Sequence, residues 1–312
     1  MSSLFKKIFV IVLVLVVAGA MAGIYYQFRP DPEDMEGRVA QIRLNGPIQT
    51  AGSPFSDMMI SMISPARVRD KLERAEEARG VEAVVISVES PGGAVAASQE
   101  INDMIADFEL PVVIAMGDMA ASGGYYISAS ADAIVAQPGT MTGSIGVIFT
   151  LFDPEELLDN IGVDREIIKS GEHKDMFSRA LEEEEREKLQ TMSDEAHRQF
   201  IEAVAEGRDL SEEEVRELAT GEIYLGTQAY ELGMVDELGG RSQAVELAGE
   251  MAGIEDPVSY DLPEPPIYRR LLGFSTRLVE LFRGRRMDYE LEILRRVESG
   301  LSPVLEYKVP GY

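Results

Sequence analysis

Apolar residues fall along this chain in two rhythms. Continuous runs occupy Ile8 to Gly23, Ala83 to Val88, Pro111 to Met116 and Ala133 to Ala136, while Ala66 to Arg79 repeats them at helical spacing. Short apolar runs bounded by glycine or aspartate are the pattern of strands buried on both faces. Val39 to Leu44 alternates apolar with polar residues, which predicts another strand. The order strand, glycine-rich turn, helix then occurs twice: Val84–Gly93 leads into a helix over 94–109, and Val112–Gly117 into a helix over 122–130. Strands alternating with helices predict an α/β fold with a largely parallel sheet. Arg165 to Lys169 predicts a later strand, and the chain from there to Gly253 reads as mostly helical. Residues 50–65, rich in serine, glycine and methionine, predict a surface loop with exposed apolar side chains.

The flanks differ from this body. Lys6 and Lys7 precede the run Ile8–Gly23, which Tyr25 and Tyr26 extend at an interfacial position. With that flank it is about long enough to span a bilayer. Two readings stand: a secretory signal cleaved near Ala18-Gly19-Ala20 or Ala20-Met21-Ala22, or an uncleaved anchor, which the length favours. The lysines hold the N-terminus in the cytoplasm, so the chain beyond Tyr26 is expected outside it. This divides the chain into a stub and transmembrane anchor over 1–28, a proline-interrupted linker over 29–38, one domain over 39–253 and an extension over 254–312. In that extension Ile267 to Phe282 reads as an amphipathic helix with Arg269, Arg270 and Arg277, followed by Arg283, Arg285 and Arg286. A membrane-surface helix and an inter-subunit packing helix both have this pattern.

Charge narrows the partners. The chain has 55 acidic against 29 basic residues, net -26, which a phosphate backbone would repel, so nucleic acid is excluded. The acidic run Leu181 to Arg186 reads as a solvated helix start with no part in chemistry. There is no cysteine, so disulfides, zinc–thiolate sites and a cysteine nucleophile are excluded. No metal-binding spacing or phosphate loop is visible, and no cofactor is expected.

Three segments carry candidate chemistry. Ser122 opens Ser122-Gly123-Gly124-Tyr125-Tyr126, where a strand turns into a helix. A serine there is either an N-cap or a nucleophile whose following N–H groups face an oxyanion. Ser90-Pro91-Gly92-Gly93 ends the strand over 83–88, and glycines there let backbone N–H groups approach a ligand closely. The third segment is Lys169-Ser170-Gly171-Glu172-His173-Lys174-Asp175. A lysine base must be neutral at work, which requires its pKa to come down from about 10.4 by burial. Glu172 and Asp175 oppose that if they face the amine. His173 and His197 are the chain's two histidines, and His197 lies in a charged helical segment with the look of a surface residue.

Together these segments resemble the signal peptide peptidase A family of serine–lysine proteases, relatives of the Clp protease and crotonase fold. The likeness runs from about Val39 to Gly253, with a further family-like segment at Thr142-Gly143-Ser144-Ile145-Gly146. It implies Ser122 as nucleophile, Lys174 as base with Lys169 as the fallback, the N–H groups of Gly93 and Gly123 as the oxyanion site, and Ser144 as a residue orienting the amine. It also implies a membrane-bound endopeptidase acting outside the cytoplasm on remnant signal peptides, in a homo-oligomeric ring or dome whose neighbouring protomers each give half of the dyad. Three alternatives remain: a related membrane protease cleaving a membrane-associated partner protein, a crotonase-like acyl-CoA enzyme, and a non-catalytic scaffold.

Overall fold

The computed structural model describes residues 37–50 and 62–262. The expected anchor, all but the end of the linker, most of the loop over 50–65 and the basic helix over 267–282 lie outside the described residues. Among the described residues no helix is long and apolar enough to cross a membrane.

Three strands form the centre of one sheet: β1 (Arg38–Asn45), β2 (Val81–Ser90) and β3 (Val112–Ala121). They are parallel because a helix returns the chain each time, α1 (Pro65–Glu77) before β2 and α2 (Val95–Ala106) before β3. Outside β1 lies β8 (Val258–Asp261), paired with Arg38 to Gln41, so the sheet takes in residues beyond Gly253.

Strand β3 changes partners midway. Val113 to Ala115 pair with β4 (Ala133–Ala136), whereas Met119 to Ala121 pair with β5 (Met141–Gly143). β4 then carries the short β7 (Glu237–Leu238), and β5 carries β6 (Ile223–Leu225), the one antiparallel pairing in the sheet among the described residues. The change falls at Gly117 and Asp118, where Glu89 Oε2 accepts the Asp118 N–H at 2.7 Å and Thr140 Oγ1 donates to the Gly117 carbonyl at 2.8 Å.

Both faces of the sheet are covered, which is why Ala83–Ile86 of β2, Val112–Met116 of β3 and Ala133–Ala136 of β4 are continuous apolar runs. Ile42, Ile86, Ile114 and Ile134 stand in register across four strands, each buried against a layer that includes Val68, Ile101, Tyr125 and Val204. Burying one such side chain stabilises the fold by about 1.5–3 kcal/mol. These partners come from α1, α2, α3 (Gly123–Ala129) and the long α5 (Glu183–Arg208). On the opposite face Val39, Val85, Val113 and Val135 meet Ala244, Val245 and Ala248 of α8 (Arg241–Ala252), whose small residues let helix and sheet approach closely.

Between β5 and α5 the chain departs from this order. It holds α4 (Glu155–Asn160) and a 3-10 turn over Met176–Ser178, and the strand expected over Arg165 to Lys169 is absent. Ile168 there is 93% exposed and pairs with no strand among the described residues. A short apolar stretch does not make a strand when no neighbour satisfies its backbone groups.

Candidate active site

The site grows from the sharp turn between β3 and α3. Ser122 occupies it at φ 52°, ψ -123°, a region an L-residue enters at a cost of order 1–3 kcal/mol. Backbone bonds hold it there: its N–H donates to the Gly143 carbonyl at 2.8 Å, and its carbonyl accepts from Tyr125 and Tyr126 N–H at 2.9 Å. The hydroxyl makes no capping bond, so the turn is not explained by an N-cap role. A serine on a strained strand-to-helix turn, with its hydroxyl uncommitted, is the device by which a nucleophile is held out toward substrate.

The turn Ser90-Pro91-Gly92-Gly93 packs against it. A register shift between β2 and β3 sets Ser90 opposite Ala120, and the Ser90 hydroxyl accepts the Gly92 N–H at 3.1 Å. Gly92 has φ 95°, and a Cβ there would stand 2.6 Å from the Gly123 nitrogen. Ile48 pairs across the outer side of Gly93, donating to the Gly92 carbonyl and accepting from Ala94 N–H, both at 2.9 Å. That pairing uses the groups flanking Gly93 and turns its own N–H to the other side. On that side lies Gly123, whose Cβ position is 3.1 Å from the Gly93 nitrogen. Among the described residues neither the Gly93 N–H nor the Gly123 N–H has an acceptor. Two uncommitted donors beside an uncommitted hydroxyl can receive an oxyanion as that hydroxyl attacks a carbonyl.

Ser144 follows the Gly143 carbonyl that holds Ser122, so it sits beside the nucleophile turn, half-buried, at φ 51° with its N–H on the Glu222 carbonyl at 2.7 Å. The structure thus brings Ser122, Gly93, Gly123 and Ser144 together.

Lys174 is not among them. It lies on an exposed turn in the segment 147–181, and among the described residues its amine has no hydrogen-bond or ionic partner. This segment exposes large apolar side chains, including Ile148 (86%), Phe152 (81%), Ile161 and Phe177. Lys169 is committed elsewhere: its amine donates to the Glu172 carbonyl at 2.8 Å and to Asp175 Oδ1 at 2.7 Å. That bond, with Arg179 beside it, holds the Asp175 carboxyl down at about 2. Asp175, a neighbour expected to oppose a neutral Lys174 if it faced the amine, therefore points to Lys169 and Arg179 instead.

The acidic run at the start of α5 departs from its expected role as a merely solvated face. Glu185 is 0% exposed. Arg179 donates to both of its oxygens at 2.8 Å, His173 Nδ1 stands 3.0 Å from Oε1, and the Glu182 N–H donates to Oε2 at 3.1 Å. Arg179 and then His173 hold the Glu185 carboxyl at about 2. Lys188 Nζ lies 3.0 Å from His173 Nε2, so a ring protonated at Nδ1 suits both neighbours. Periodicity could not find this cluster, because Arg179 and His173 precede the helix. A buried-length reach between an arginine, a histidine and the third residue of a helix has no repeating spacing.

Comparison with known proteins bears on the family and the fold. The model of peptidase family S49 matches residues 105–255, and that of the Clp protease family matches residues 52–141, in keeping with a mixed α/β, Clp protease-like fold. A Synechocystis protein bearing a protease designation is 41% identical over 215 residues, 67% of this chain and 78% of its own. Protease 4 of Salmonella typhi is 35% identical over 262 residues, 81% of this chain but 41% of its own length. The chloroplastic serine protease SPPA of Arabidopsis thaliana is 33% identical over 224 residues, 70% of this chain and 33% of its own. Uncommitted serine, paired glycine donors and these relatives converge: the chain is a serine peptidase and belongs to peptidase family S49, the signal peptide peptidase A family.

Proposed function

We propose that the protein is a membrane-anchored endopeptidase that degrades remnant signal peptides with a Ser122/Lys174 dyad. The observation that carries this reading is the uncapped hydroxyl of Ser122 on a strained turn, set against the free N–H groups of Gly93 and Gly123. Ser122 Oγ attacks the scissile carbonyl carbon while the neutral Lys174 amine takes the hydroxyl proton. The carbonyl oxygen becomes an oxyanion between the Gly93 and Gly123 donors. As the C–N bond breaks, the Lys174 ammonium returns the proton to the leaving amine, leaving an acyl-serine. Water, deprotonated by the same amine, then releases the peptide acid and restores Ser122. Ser144 accepts a hydrogen bond from the amine and aims it.

Lys174 reaches the serine of a neighbouring protomer in a homo-oligomer. Among the described residues its amine has no partner, and the segment that carries it exposes apolar side chains that another protomer would cover. Residues 8–23 anchor the chain with the peptidase domain outside the cytoplasm, and membership of the signal peptide peptidase A family makes signal-peptide remnants the first substrate to try. The test is product profiling of purified full-length protein on an isolated signal peptide and on a folded protein. Cleavage of the first alone supports the reading, whereas cleavage of the folded protein alone, or of neither, refutes the substrate assignment. Ser122→Ala should abolish cleavage in either case.

A further inference from the structure

Both chain neighbours of Lys174 are gripped, and the two grips meet on one carboxylate. His173 reaches Glu185 directly at 3.0 Å. Asp175 reaches it through Arg179, whose Nε stands 3.3 Å from Asp175 Oδ2 and whose terminal nitrogens fork onto Glu185 at 2.8 Å. Lys174 lies between them, its amine without a partner among the described residues, so there its direction comes from the chain on either side. We infer that Glu185 is a positioning residue for Lys174, fixing the turn from which the amine projects; this rests on reading Lys174 as the base.

The chemistry of the cluster favours aiming over simple stability. Burying a carboxylate is costly, and a short apolar side chain could close the same turn as well. A wholly buried charge held by an arginine fork is, by contrast, highly directional. Helix capping accounts for one bond only, the Glu182 N–H at 3.1 Å. The rest of the Glu185 oxygens' capacity goes to Arg179 and His173, both on the lysine turn. The group spans two elements, the turn over 169–179 and the first turns of α5, from which Lys188 joins through His173 Nε2 at 3.0 Å and Glu184 through Lys188 at 2.7 Å.

The experiment compares wild type, Glu185→Gln, Glu185→Asp and His173→Ala as full-length oligomers on a signal-peptide substrate. A misaimed base slows chemistry without weakening binding, so Glu185→Gln should lower kcat by about 30- to 100-fold with KM within about threefold. Glu185→Asp keeps the charge and should recover to within about tenfold of wild type. In a Ser122→Ala background, trypsin should cut within residues 169–188, at Lys174 and Arg179 above all, about tenfold faster when Glu185 is Gln, while cleavage outside that stretch is unchanged. A loss confined to KM, or wild-type kcat together with wild-type trypsin resistance, overturns the inference. His173→Ala, at a half-exposed position, keeps the question open to test if Glu185→Gln does not assemble. It should cost about tenfold in kcat at constant KM, and wild-type kcat there is equally fatal. Full activity in Lys174→Ala would instead remove the base assignment, and the trypsin result would still report whether Glu185 grips the turn.

Discussion

The segment that holds Ser122 and the segment that holds Lys174 are built on opposite terms. Around Ser122 the backbone is anchored on both sides: β3 lies inside the sheet, α3 is buried along its length, and Ile48 clamps the glycine turn. From Val147 to Ala180 the chain shows one six-residue helix and a 3-10 turn, with exposed isoleucine and phenylalanine and order supplied by a few charged side chains. One region is complete within a single chain. The other presents large apolar side chains to solvent, the kind of surface that contacts with a partner cover.

Combining two defective subunits breaks or sharpens that contrast most forcefully. Ser122→Ala and Lys174→Ala should each lose several orders of magnitude in activity, yet an evenly mixed oligomer should recover about a quarter of wild-type sites. One subunit supplies each intact half, and a site completed within one chain recovers nothing. Subunit exchange, followed by tags on each variant, must accompany the activity assay.

Next comes the anchored side. Gly93→Ala would place a Cβ 2.1 Å from the Ile48 carbonyl oxygen. The backbone must move, taking the Gly93 N–H out of line, and kcat should fall by about 10²- to 10³-fold, as for loss of one oxyanion donor. Activity close to wild type in steady-state assays would remove Gly93 from the site.

A smaller effect is expected on the exposed side. Ile148→Glu with Ile168→Glu should leave thermal unfolding of the chain within about 1 kcal/mol, since both side chains already face solvent. Sedimentation should show a shift toward monomers, with activity lowered in proportion. An intact oligomer would mean that these residues face no neighbour.

Acid should separate the two regions most gently. Asp175 and Glu185 titrate at about 2 in the folded chain, below the ordinary range of about 4. Lowered carboxylates support the folded turn fully above about pH 4 and lose that support as pH falls toward about 2. Pulsed hydrogen exchange should therefore report constant protection of residues 170–180 from pH 7 to 5 and a decline between about pH 4 and 2, before the sheet opens.

Much of the anchored region could be read from residues alone, because its determinants are local. Glycine pairs just after β2 and at the start of α3, and the apolar run between them, leave little choice of conformation. Strands β5 to β8 were illegible, since two to four residues become a strand only through partners far along the chain: Tyr224 opposite Thr142, and Ser259 opposite Val39. The Arg165–Lys169 segment misleads for a related reason. Its isoleucines are apolar enough for a strand, but they face outward in the single chain. Glu185 was hidden most completely, because an acidic run at a helix start has the same composition whether one member is solvated or wholly buried.

The change of partners within β3 has a structural consequence. The half of the strand that carries the isoleucine row answers to β4 and, beneath it, α8; the half that ends at Ser122 answers to β5. β5 runs on directly into the segment bearing Lys174. That segment thus has a short backbone route to Ser122, through the Gly143–Ser122 bond, while Ser90 opposite Ala120 ties the same half of β3 to β2. Thr140 on Gly117 and Glu89 on Asp118 mark where the two halves meet. Any contact made on the segment 147–181 would therefore lie one backbone hydrogen bond away from the nucleophile's turn.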